Sequence, residues 1–211
     1  MKRLVLMLMA AAMMLSVNAQ ELTKAQAKAV KKEVSKKLKD YKKKGYEIFG
    51  SSRTLEYVLT KHYTTLEAKD GKVVEVAGFS QAKSRNLAQA AAQNSAANRY
   101  ATSASQQVKG RVLADMALDV ANQEAEFDKF YAAFEGKVQQ EIKGELRPSF
   151  AVAKQNADGT ISVEAYFLVD DDAASRARIN AFKNSQTESA VAQKYAQKIS
   201  NFVNERVVPE Q

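Results

Sequence analysis

Not one cysteine occurs in this chain of 211 residues, and histidine occurs once, at His62. No disulfide can staple the fold, so its stability has to come from packing alone. The same two counts remove the usual ligands of zinc, iron–sulfur and copper sites, and the usual partners of a nucleophilic triad. A chain of this size can bury roughly 70% of the surface it exposes when unfolded, which is enough for a core without cross-links. With 45% hydrophobic and 27% charged residues, the composition is that of a globular domain.

Residues 1–19 carry the pattern of an export signal peptide. Lys2 and Arg3 supply a positive start, residues 4–15 form an apolar run, and Val17, Asn18 and Ala19 end it in small-residue cleavage style. The run is well short of the roughly 20 apolar residues that span a bilayer. Cleavage after Ala19 is therefore expected, leaving a mature chain from Gln20, exported to the periplasm and without a transmembrane segment. No cysteine stands at the cleavage point to take a lipid.

Charge is concentrated in one segment. Residues 20–44 hold ten lysines against Glu21, Glu33 and Asp40, a local charge of +7. The leader contributes +2 of the chain's total of +8, so residues 45–211 sum to −1. The body thus has no electrostatic reason to seek nucleic acid. Within the basic segment Ala27, Val30, Val34, Leu38 and Tyr41 recur at helical spacing, predicting an amphipathic helix that Gly45 ends. Lysines cover the rest of its surface. Lys28, Lys31, Lys32, Lys36, Lys37 and Lys43 form a candidate surface for an anionic ligand, weighed against simple solvation of a docked helix.

Residues 45–52 read as a short loop, with Ser51 or Ser52 capping a second helix that starts near Arg53. Its apolar face holds Leu55, Val58, Leu59, His62, Tyr63 and Leu66, which makes His62 a packed or surface-edge residue rather than a ligand. An Asp70-Gly71 turn precedes a short strand over residues 72–79. A long alanine-rich helix is predicted from Gln81 to about Lys109, lying tight against a sheet because alanine permits close approach. Residues 110–120 are apolar without a clean period. Phe127, Phe130, Tyr131, Phe134, Val138 and Ile142 then mark another helix, its aromatics in the core. Residues 145–155 and 160–169 flank a turn-competent Asp158-Gly159 as a hairpin with one buried face and an edge or bulge at Pro148. Asp170, Asp171 and Asp172 read as the cap and first turn of a long final helix, broken near Asn184-Ser185, and not as a calcium loop.

The expected architecture is α+β: a small antiparallel sheet of three to four strands packed against long helices, with the lysine-rich helix added in front. The domain organisation is residues 1–19 as signal peptide, 20–50 as lysine-rich helix and loop, and 51–211 as a single domain. The order of strand (Val73 to Phe79), alanine-rich helix opening Gln81-Ala82-Lys83-Ser84-Arg85-Asn86-Leu87-Ala88, second helix, and hairpin ending Val163-Glu164-Ala165-Tyr166-Phe167 resembles the envelope domain of Helicobacter twenty-kilodalton-type lipoproteins. It is similar also to the N-terminal domain of a flagellar outer-membrane assembly protein. Lys42-Lys43-Lys44-Gly45-Tyr46-Glu47-Ile48-Phe49-Gly50 through Leu55-Glu56 looks like exported Bacteroidetes proteins that carry this domain. The resemblance covers most of residues 35–170 and implies a periplasmic or outer-membrane-associated module without catalysis. This chain departs from the lipoprotein members in lacking the lipid-bearing cysteine.

Three classes follow: an envelope module that binds a protein partner or itself, which is the leading expectation; a binder of anionic glycan, peptidoglycan or lipid headgroups through the lysine helix; and an enzyme using Glu164, Asp170 and Asp171 as acid and base. No cofactor, metal or catalytic residue is expected. The leader reading makes the mature N-terminus Gln20, and mass spectrometry of the envelope-fraction protein should find that residue first. Retention of Met1 would overturn the export reading.

Overall fold

The computed structural model describes residues 22–69 and 71–209. The leader, and Asp70 of the Asp70-Gly71 turn, lie outside the described residues. The elements in chain order are α1 (Lys24–Lys44), β1 (Glu47–Phe49), α2 (Leu55–Ala68), β2 (Val73–Ala82), α3 (Arg85–Asn122), α4 (Glu124–Lys143), β3 (Arg147–Gln155), β4 (Ile161–Asp170) and α5 (Asp171–Ser185). A 3₁₀ turn (Gln186–Glu188), α6 (Ala190–Lys194) and α7 (Ala196–Val203) complete the chain. The fold is α+β, as expected. One antiparallel sheet in the order β1-β3-β4-β2 packs between helices.

Helix α3 runs back along β2, and the contact is closest at Gly78. A Cβ placed there would lie 1.9 Å from the Ala92 carbonyl oxygen and 2.7 Å from the Ala96 amide nitrogen, so only glycine fits. Ala88, Ala92 and Ala96, spaced every fourth residue, are fully buried along the contacting side. On its other side α3 packs against α4 through Ala97, Tyr100, Ala104 and Val108, all in the main core. Tyr100, Phe130, Phe134, Val163 and Phe167 belong to this one cluster. Arg178, 1% exposed, is the largest buried side chain and ties in the C-terminal segment. Its guanidinium donates to the carbonyls of Val203 and Glu205, each at 3.0 Å, and to the Tyr100 hydroxyl at 2.5 Å. Three acceptors meet this buried cation, which makes no ion pair among the described residues.

The opposite face of the sheet is covered as well. Val30, Val34 and Tyr41 of α1 and Val58 and Leu59 of α2 pack on Phe150, Val152 and Tyr166 of β3 and β4. Sequence analysis expected one buried face. Apolar residues at the alternate positions, together with the α1–α2 pair, bury the second. Helix α1 is held at both ends: a capping box joins Thr23 to Gln26, and Gly45, at φ 74°, closes the last turn.

Several boundaries differ from the sequence reading, each for a local reason. Residues 47–49 form a fourth strand by pairing with Ala151–Ala153. Thr54, rather than Ser51 or Ser52, caps α2, its hydroxyl accepting the Tyr57 amide at 3.3 Å. Gln81 and Ala82 stay in β2 because they pair with Ser162 and Ile161, and the helix, capped by Ser84, starts at Arg85, four residues later than expected. Residues 110–120 continue α3: Val108, Val112 and Met116 are buried at fourfold spacing, while Leu113 and Leu118 point to solvent and blur the period. The ladder shifts register between Pro148 and Phe150, so the edge-or-bulge expectation is met by a bulge at Ser149. The chain beyond Ser185 is not one long helix; Ser189 caps a new start by accepting the Ala192 amide at 3.4 Å.

The Gly78 contact generates a prediction. Gly78→Ala should lower stability by about 3 kcal/mol, the upper end of ordinary overpacking, because helix backbone and not a flexible side chain must move. Urea denaturation checks it, and an unchanged midpoint would mean that α3 does not rest on β2.

Candidate functional site

The six lysines singled out from the sequence separate on the folded helix. Lys28, Lys32, Lys36 and Lys43, joined by Lys39, lie on one stripe turned away from Val30, Val34 and Tyr41. Lys31 lies to one flank. Lys37 turns to the sheet, its Nζ 5.6 Å from the centroid of the Tyr166 ring. Lys36 and Lys37 also border a groove of about 680 Å³ that holds Glu33, Asp40, Glu67 and Glu75, four carboxylates that disfavour an anion there. The cationic stripe is thus narrower than the sequence implied, but it is mounted on a packed helix.

Beneath α2 lies a polar network that the sequence reading missed. His62 is 1% exposed; its Nδ1 faces Ser149 Oγ at 2.8 Å and its Nε2 contacts Glu75 Oε2. A carboxylate only accepts, so Nε2 carries a proton; in the neutral imidazole Nδ1 then accepts from the Ser149 hydroxyl. Tyr63 and Phe150 close the ring in, with centroids 5.1 and 5.0 Å away, and Phe150 stacks on Tyr166 at 4.5 Å. Nearby, Tyr41 donates to Tyr166 at 3.0 Å, and Tyr166 donates to Glu164 at 3.3 Å. Burial above all pushes the Tyr41, Tyr63 and Tyr166 phenols well above their ordinary range. Burial, with Glu164 beside it, pushes Tyr46 up to about 12. All four therefore remain neutral at physiological pH.

Hydroxyl, imidazole and carboxylate stand here in the order of a nucleophilic relay. The imidazole is buried, and Ser149 is the member of the three that reaches the cleft. The network orients the serine hydroxyl at the cleft wall.

Ser149 opens on a cleft of about 700 Å³ between α2 and the β3–β4 strands, within the range of small-ligand sites. Arg53 just before α2, Tyr57, Lys61 and Thr65 on it, and Lys69 just after it recur every fourth residue along one wall, and Arg147 and Asp170 also line the cleft. Asp170 pairs with Arg147 at 3.0 Å and with Lys69 at 3.9 Å. Among the described residues no ion pair holds Arg53 or Lys61. The fourfold spacing from Arg53 to Lys69 was legible in the sequence; only the apolar face of the same helix was read.

The carboxylates considered for acid–base work do not converge. Asp170 serves Arg147 and Lys69, Asp171 lies 3.6 Å from Arg206, and Glu164 accepts from Tyr166 on the α1 side of the sheet. Asp170, Asp171 and Asp172 do sit at the N-terminus of α5, yet Asp170 makes no side-chain capping bond because its carboxylate is drawn to the cations. Among the described residues no group of three metal-ligating side chains comes together, and no helix is long and apolar enough to cross a membrane. Comparison with protein-family models, curated proteins and solved structures finds no match.

The buried pair gives a test. Glu75→Leu leaves His62 Nε2 unpaired and should cost about 1–3 kcal/mol. His62→Leu in the same chain should recover part of that loss, a coupling that a double-mutant cycle in urea measures. Strictly additive losses would mean that the two side chains do not interact.

Proposed function

We propose that the protein is an exported cell-envelope module that acts by binding, without catalysis of its own, in the periplasm or at the outer membrane. Its partner on this reading is an envelope protein or a second copy of the chain. The leader-like N-terminus and the resemblance of residues 35–170 support export and an assembly role. The observation that carries the partner reading is apolar exposure along α3. That helix holds Leu87, Leu113 and Leu118, at 60%, 43% and 83% exposure, half of the large apolar side chains exposed among the described residues. Helical geometry breaks at Met116, so Leu87 and Leu113 lie on the longer segment, roughly 45 Å of helix, and Leu118 lies beyond the break.

The lysine stripe supports a second reading, contact with anionic glycan, peptidoglycan or lipid headgroups. Its charges are exposed and spaced along a fixed helix, so binding would be modest and would weaken as salt shortens the screening length to below about 10 Å.

Crosslinking in envelope fractions separates the two. Leu87→Asp with Leu118→Asp should remove the crosslinked partner while far-UV circular dichroism stays unchanged. Reversal of Lys28, Lys32, Lys36 and Lys43 to glutamate should leave that partner in place and abolish only salt-sensitive binding to anionic envelope material. Partner capture that survives the leucine changes and fails with the lysine reversals would promote the second reading over the first.

A further inference from the structure

We propose that the cleft between α2 and the β3–β4 strands is a binding site for a sugar acid, a hydroxyl-rich carbohydrate carrying a carboxylate. It is a site separate from the lysine stripe, so it stands or falls independently of that reading.

Charge is the first argument. Residues 45–211 sum to −1, yet this cleft gathers, among the described residues, four cations, Arg53, Lys61, Lys69 and Arg147, against one carboxylate, that of Asp170. Asp170 engages Lys69 and Arg147. Arg53 and Lys61 are left to face the cleft with charge uncompensated by any ion pair among the described residues. Either can take a ligand carboxylate, the planar guanidinium in two parallel bonds.

Hydrogen-bond polarity is the second. With the imidazole neutral and its Nε2 proton on Glu75, the Ser149 hydroxyl gives its proton to His62 and its oxygen at the cleft wall accepts. A fully ionised inorganic anion such as sulfate has no proton for it, whereas a sugar hydroxyl does. The β-bulge at Ser149 turns this side chain to the α2 face.

The third is the aromatic wall. Tyr57 is 51% exposed in the midst of the cations, and the Arg53 guanidinium lies 5.3 Å from its ring centroid. A half-exposed tyrosine offers an amphipathic face against which the C–H surface of a sugar can lie. The site therefore asks for three properties in one ligand: a negative group, a hydroxyl donor and a flat apolar patch. A sugar acid has all three.

Titration of the full exported chain, uniformly labelled with nitrogen-15, tests this with three probes. N-acetylmuramic acid should shift the amides of Arg53, Lys61 and Ser149. N-acetylglucosamine, the same ring without the carboxylate, should bind at least about tenfold more weakly. Inorganic sulfate should not reproduce the Ser149 shift. Arg53→Gln with Lys61→Gln should weaken N-acetylmuramic acid about tenfold at unchanged circular dichroism. Lys61→Gln alone, at an exposed position, should give a smaller loss in the same direction. Reversing Lys28, Lys32, Lys36 and Lys43 should leave the cleft shifts intact. Equal affinity for the two sugars, sulfate giving the same shifts, shifts confined to α1, or none up to about 10 mM, would each overturn the proposal.

Discussion

The backbone of α3 rests directly on Gly78 of β2, and the remaining layers are arranged around that contact. With the Ala92 carbonyl oxygen 1.9 Å from where a Cβ would stand, strand and helix approach more closely than any side chain would allow. The approach is stitched at its rim by polar bonds. Ser80 donates to the Ala88 carbonyl at 2.5 Å, and Ser95 accepts the Phe79 amide at 3.3 Å, occupying part of the free edge of β2. Alanine at 88, 92 and 96 is what makes the contact possible, and the larger side chains of α4 fill the space on the other side of α3.

With α3, α4 and the C-terminal helices on one face, the other face of the sheet is left to α1 and α2. That second layer is thinner and more polar. It combines Val30, Val34, Leu59 and Phe150 with tyrosine hydroxyls and the buried His62, each polar group paired. Low dielectric strengthens such a network only when every member has a partner. The consequence reaches the surface: the same imidazole that satisfies Glu75 sets the direction of the Ser149 hydroxyl in the cleft.

Surface charge follows this layering. The strongest cationic density rides on α1, where each lysine can keep its stem on protein and its ammonium in water. A groove between α1 and α2 is acidic, and the cleft beyond α2 is basic again. Alternation of sign over one face disfavours a uniform polyanion lying across it and favours separate contacts of limited size. A long helix edge for a partner and a confined basic cleft are compatible uses of different surfaces.

The sequence by itself determined the α+β class, the four long helices α1 to α4, the Asp158-Gly159 hairpin and the joint burial of Tyr100, Phe130, Phe134, Val163 and Phe167, because helical and strand periodicities are local and strong in those stretches. It also held the cleft's cations in plain view, as Arg53, Lys61 and Lys69 at fourfold spacing. Only the tertiary structure decided what depends on pairing across the chain. Residues 47–49 become a strand through β3, and Gln81 and Ala82 remain strand through β4. Ser149, His62 and Glu75 are brought together from three elements separated by up to 87 positions. Periodicity assigns each residue a face of its own element, but which element covers that face is fixed by packing, and the Ser149 site exists only once the second face of the sheet is covered.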